Sequence, residues 1–148
     1  MAGSVLLAIR VGPESEVPTR VAARLARLLD DTLVIVYVAL ELETANMVAT
    51  GAAMDEESVR QAMREKVTND VLGYVRGLVP DQPVEVVVTE GDVAEAISRI
   101  AAERAADFLV VGTKGRGALS RLVLGDTTHD ILRRTPCPVV VVPRGVHA

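Results

Sequence analysis

Aromatic residues are almost missing from this 148-residue chain: Tyr37, Tyr74 and Phe108 are the whole set, and there is no tryptophan. Binding bases by stacking them on an aromatic platform is therefore excluded. Any nucleotide base held here rests on backbone groups and aliphatic side chains. Cysteine occurs once, at Cys137, which excludes an internal disulfide framework and a cysteine metal cluster. The two histidines, His129 and His147, have no acid or cysteine at ligand spacing and read as ordinary surface residues. Positive charge is short too: 16 Lys and Arg stand against 20 Asp and Glu, a formal net charge of −4. General nucleic-acid binding asks for the opposite balance, so no nucleic-acid partner is expected. No apolar run reaches the length of a membrane span, so no membrane association is expected either. The opening "MAGSVLLAIRVG" has no basic lead and too short an apolar run for a signal peptide, so the expected location is cytoplasmic. No Ser-His-Asp arrangement or carboxylate pair follows from spacing, and an enzymatic role is not expected.

What is present is patterned. Five β-branched runs stand out: "SVLLAI" (4–9), "LVIVYV" (33–38), "VEVVV" (84–88), "DFLVVG" (107–112) and "PVVVV" (138–142). Four are nearly continuous in apolar residues, as strands covered on both faces are. The third is broken by Glu85, which suits an edge strand. Between the runs lie helical stripes. Val17, Val21, Leu25, Leu28 and Leu29 form the first. Val59, Met63, Val67, Val71, Val75 and Leu78 form the second, in a helix beginning near Asp55 whose start is capped by "DEES" at 55–58. Val93, Ile97, Ile100 and Ala101 form the third, and Thr128, Ile131 and Leu132 a short fourth. Pro80, Pro83 and "TPCP" at 135–138 supply stops. The order β-α-β-α-β-α-β-α-β predicts one α/β domain over 1–148, an open parallel sheet with helices on both faces. The segment 39–54 fits no element cleanly and is expected to be a mobile connection or a lid. Cys137, between two prolines, is expected to be buried and structural. A redox role would need an exposed thiolate beside a cation such as Arg133 or Arg134.

The stretch "GTKGRGALSRLVLGDTT" (112–128) concentrates three glycines and three cations. Gly112 and Gly115, nine residues, then Gly125 form a G-x-x-G-x(9)-G frame that resembles the core of the universal stress protein family. "ERAADFLVVGTKGRG", "ILRRTPCPVVVVP", "EGDVAEAISRIA", "VLLAIRVGPES" and "LVIVYV" resemble that family as well, so the likeness spans nearly the whole chain. It implies a Rossmann-like or flavodoxin-like five-stranded sheet of order 3-2-1-4-5. Its ligand crevice would lie at the carboxyl ends of strands one and four, here Ile9–Gly12 and Val111–Gly115.

The resemblance also implies how an adenine nucleotide, ATP or a relative with Mg²⁺, would be held. Ile9, Arg10 and Val111 border the crevice, and Val38 matches an adenine-contacting valine. Gly112 and Gly115 let the backbone approach the ligand, because no Cβ intervenes. Gly125 opens the last helix, whose free N–H groups attract phosphate. Lys114, Arg116 and Arg121 add positive charge. This is neither a Walker loop, which ends in Lys-Ser/Thr, nor the G-x-G-x-x-G dinucleotide fingerprint.

Two positions depart from the family. Asp126 stands where nucleotide-binding members carry Ser or Thr, and Arg10 (or Val11, one residue on) stands where they carry Asp. As an N-cap, the Asp126 carboxylate would accept the N–H groups that a phosphate uses. About 4 Å from a phosphate it would cost roughly 4 kcal/mol. A divalent cation would offset that repulsion, and Thr127 or Thr128 would replace the missing hydroxyl. Two readings stay open: a regulatory or protective nucleotide-binding module with weak or metal-dependent ATP binding, and a dimeric interaction module with a vestigial, self-capped site. In the second, Arg10 and Asp126 face each other and close the crevice, unless Arg10 points to solvent. The resemblance also places 138–143 at a sheet edge and implies a homodimer through that strand.

Overall fold

The computed structural model describes residues 3–39, 42, 45–52, 54–113 and 126–143. Five strands, β1 (Ser4–Ala8), β2 (Thr32–Val38), β3 (Val84–Thr89), β4 (Ala106–Gly112) and β5 (Val139–Val142), form one parallel sheet of order β3-β2-β1-β4-β5. This is the expected order, with β3 and β5 at the edges. Glu85, the polar break in β3, is bonded to Arg104 at 2.6 Å, beyond the end of the helix that follows.

Alternation along the central strands divides the core. Val5, Leu7, Leu33, Ile35, Tyr37 and Val110 face one side, under helices α1 (Glu16–Leu29) and α3 (Glu56–Leu78). Leu6, Val34, Val36, Leu109 and Val111 face the other, under α4 (Val93–Glu103) and α5 (Asp126–Arg134). Each wholly buried Leu or Val contributes about 1.5–3 kcal/mol relative to exposure.

The helices start and stop for local reasons. Asp55 caps α3 by accepting from Ser58 N–H at 3.0 Å, and Asp92 caps α4 by accepting from Glu95 N–H at 2.9 Å. Helix α1 ends where Asp30 turns left-handed (φ 55°) while the Asp31 N–H donates to the Ala26 carbonyl at 2.8 Å.

Three sequence expectations are corrected. The face α1 buries is Pro18, Thr19, Ala22, Ala23 and Ala26, small residues that let the helix lie close on the sheet. Val17, Val21 and Leu25 pack at its margin, while Leu28 and Leu29 are exposed. In α5, Thr128 and Ile131 are buried but Leu132 is exposed. Within 39–54, residues Ala45–Ala52 form a helix, α2, with Ala45 and Ala49 buried against Val59 of α3.

At the end of the sheet where the strands begin, Asp31 and Asp107 stand side by side. Burial raises the Asp31 pKa most, the neighbouring Asp107 carboxylate raises it further, and the Gly3 N–H donating at 3.0 Å partly opposes them.

Candidate functional site

The crevice arises where hydrogen bonding changes sides. Strands β1 and β4 pair through Ala8 and Val111. Just beyond this pair, the Ile9 N–H donates to the Val36 carbonyl of β2 at 3.3 Å, while the Thr113 N–H donates to the Val142 carbonyl of β5 at 3.2 Å. The two central strands thus part at their carboxyl ends, and open a crevice of about 400 Å³. That is the size of a small-molecule site.

Its inner surface is aliphatic: Ala8, Val36, Val38 and Val111 from the sheet, Val93 and Ile97 from α4, and Ile131 from α5. Polar groups gather at the rim. Thr127 and Thr128 come from the first turn of α5, and Thr113 from the end of β4. Arg10, Glu14 and Ser15 come from the segment joining β1 to α1.

That segment is held from both sides. The Ser15 hydroxyl donates to the Arg10 carbonyl at 2.5 Å, and the Thr19 hydroxyl donates to the Ser15 carbonyl at 2.6 Å. From α3, the Tyr74 hydroxyl donates to the Gly12 carbonyl at 2.6 Å. Burial raises the Tyr74 pKa, and the charges of Glu16 and Glu14 raise it further, so the donor stays protonated at neutral pH. The wall bearing Arg10 is therefore fixed in place before any ligand arrives.

Seven residues expected from sequence line this crevice: Ile9, Arg10, Val38, Val111, Gly112, Thr127 and Thr128. Lys114, Gly115, Arg116, Arg121 and Gly125 lie outside the described residues. Asp126 is the first residue of α5, is exposed, and is not among the described lining residues. No ion pair joins it to Arg10, so the direct closing contact is not formed.

Gly112 has a further reason to be glycine. A Cβ there would stand 3.1 Å from Cγ of Pro18, so its bareness seats α1 against β4. Among the residues that sequence reasoning missed at the site are Val36, Val93, Ile97, Glu14, Ser15 and Pro18. Val36, Val93 and Ile97 looked like ordinary core residues, while Glu14 and Ser15 lie in the connection after β1 and Pro18 in the first turn of α1, whose return to the crevice is a tertiary event. The Pro-Glu-Ser turn leading into α1 was the one available signal.

Among the described residues, no group of three His, Cys, Asp or Glu side chains is arranged to hold a metal ion, and no helix is long and apolar enough to cross a membrane. Cys137 is half-buried and packs beside the cluster of Leu6 and Leu109, its thiol 3.5 Å from the Thr135 hydroxyl.

The family model of the universal stress protein family matches residues 1–143. A universal stress protein of Mycolicibacterium smegmatis is 33% identical over 93% of the chain, and the chain spans 47% of that relative's length. Among solved structures, the universal stress protein from Archaeoglobus fulgidus in complex with dAMP superposes with a TM-score of 0.63 at 17% identity, covering 96% of this chain and 98% of that one. A universal stress protein in complex with cAMP superposes with a TM-score of 0.60 at 18% identity, covering 96% and 97%. At such identities the likeness is one of fold.

Proposed function

The chain belongs to the universal stress protein family, and from that membership and the aliphatic crevice we propose a regulatory or protective binding module that takes an adenine nucleotide. Turnover of substrate is not part of this reading, because the charged groups of the described lining, Arg10 and Glu14, form no nucleophile–base pair. The observation that carries the proposal is the division of the crevice: an apolar floor between strands and α4, and a hydroxyl-bearing helix start at one end. In a protein nearly without aromatics, Val36, Val38 and Ile97 would sandwich an adenine ring. Thr127, Thr128 and the N–H groups opening α5 would meet phosphate oxygens. The dAMP and cAMP complexes of structural neighbours support the same ligand class.

The chain's own departures set the affinity. Asp126 brings a negative charge to the first turn of α5, where a phosphate would lie. Because the side chain is exposed, the repulsion is screened to about 1 kcal/mol, well below the cost of a buried pair. Magnesium needs only one or two carboxylates besides phosphate oxygens, and Asp126 at the start of α5 would supply one. ATP binding is accordingly weak without a divalent cation and stronger with one. The alternative module with a self-capped site requires Asp126 to engage the crevice, and its exposure speaks against that.

The remaining parts of the proposal are a cytoplasmic location and a homodimer formed along β5. Isothermal titration of ATP against the wild type and Asp126→Ser tests the site, with the variant expected to bind about fivefold more tightly. Submicromolar, metal-independent ATP binding by the wild type would contradict the role given to Asp126. A crevice that takes no adenine nucleotide under any condition would overturn the proposal itself.

A further inference from the structure

A second concavity, of about 430 Å³, lies at the opposite end of the sheet from the crevice. Its walls are the exposed side of α1 and the turn that joins α3 to β3. Arg20, Arg24 and Arg27, spaced four and three residues apart, fall on one side of α1 and line it together. The Arg20 guanidinium is engaged: it donates to the Leu78 carbonyl at 3.2 Å and pairs with Glu16 at 3.4 Å. Arg24 and Arg27 have no hydrogen bond or ion pair among the described residues, although the chain as a whole is acidic. Asp81 is the single acid of the described lining, and it pairs with neither.

Gln82 completes the wall, and it is 9% exposed. Its Nε2 donates to the Pro83 carbonyl at 3.3 Å, which fixes the amide's orientation, and its Oε1 is buried with no donor. A buried amide oxygen left unbonded costs stability, and something that donates a hydrogen bond relieves it. The site therefore asks for an anion that also carries a donor.

We propose that this groove binds a phosphate-class oxyanion on a small molecule. Arg24 and Arg27 grip its oxygens through their planar forks, and Gln82 Oε1 accepts from a phosphate hydroxyl or a neighbouring hydroxyl group. A guanidinium matches phosphate in two parallel hydrogen bonds where an ammonium makes only a point contact. The site stands apart from the nucleotide crevice, at the far end of α1, so the two can be filled independently.

Pyrophosphate titrated into the isotope-labelled whole chain, without magnesium, tests this by nuclear magnetic resonance. The arginine Nε–H and Gln82 side-chain amide signals report the groove, and the Thr127 and Thr128 signals report the crevice. Saturable shifts of Arg24, Arg27 and Gln82 are expected. Arg24→Gln with Arg27→Gln should weaken the groove response about tenfold or more while leaving the response at Thr127 and Thr128 unchanged. Arg24→Lys with Arg27→Lys keeps the charge and loses the forks, so it too should weaken binding severalfold. Gln82→Met, checked by thermal melting to be folded, should do the same. Shifts that grow without saturating, or lysine variants that bind as tightly as the wild type, would overturn the proposal in favour of diffuse charge attraction.

Discussion

At Ala105 the backbone sits at φ 47°, in the left-handed region, one residue past the cap of α4. A Cβ there costs about 1–2 kcal/mol, and glycine's greater freedom in the unfolded chain offsets part of any relief. Ala105→Gly is therefore expected to stabilise the fold by about 0.5–1 kcal/mol, seen as a higher melting temperature. The Asp31–Asp107 pair gives a pH-dependent counterpart. Burial and the neighbouring carboxylate raise the folded-state pKa of Asp31. The contribution to stability from its protonation is complete below the unfolded value of 3.8, and is lost as pH rises through the folded value. At neutral pH the two charges oppose each other. Asp31→Asn keeps an oxygen for the Gly3 N–H and should melt higher than the wild type at pH 7. The gap should close as pH falls through the Asp31 folded pKa, and a gap constant from pH 3 to pH 7 would contradict this.

Among the elements, β5 is the one whose outer edge is unpaired within the sheet yet wholly apolar, four valines from Val139 to Val142. Val140 packs toward the α1–α3 core, while Val139 and Val141 pack toward α4 and α5, so each face of the strand is partly covered. What remains open is the row of backbone donors and acceptors, which a second copy would satisfy by strand pairing. Light scattering is expected to show a homodimer at tens of micromolar. Val141→Lys should shift it toward monomer, and a melt on the same sample separates this from unfolding. A wild type already monomeric at that concentration would end the expectation. The opposite edge is blunted. Near β3, Arg64 donates to the Val88 carbonyl at 2.6 Å and reaches Glu90 at 3.3 Å, while Arg60 also bonds Glu90. Charged side chains from α3 thus cover that rim, and pairing there is discouraged.

For the molecule as a whole, a ligand that binds only the folded state raises its stability by mass action, about 2.7 kcal/mol at a hundred times the dissociation constant. ATP with magnesium is therefore expected to raise the melting temperature of the wild type by several degrees, and ATP with a chelator by much less. Asp126→Ser should narrow the difference between the two conditions. An equal shift with and without the cation would remove Asp126 from the account. The pyrophosphate groove adds a second, independent ligand term at the other end of α1, with no competition between the two.

Much of this was legible in the chain because its causes are local. Four continuous apolar runs require strands covered on both faces, and Asp55 and Asp92 mark helix starts by their capping chemistry. The glycine at 112 announced a special position, and Val38 and Val111 were expected at the crevice they line. Tertiary structure alone decided that the bareness of Gly112 faces Pro18, and that Leu28 and Leu132 stand in solvent. It also brought Tyr74 to hold Gly12, and Asp31 to meet Asp107. Periodicity says that a stripe is apolar, but not how deep each member goes, since depth depends on what a crossover brings opposite it. Those pairings join residues far apart in sequence, and no local pattern encodes them.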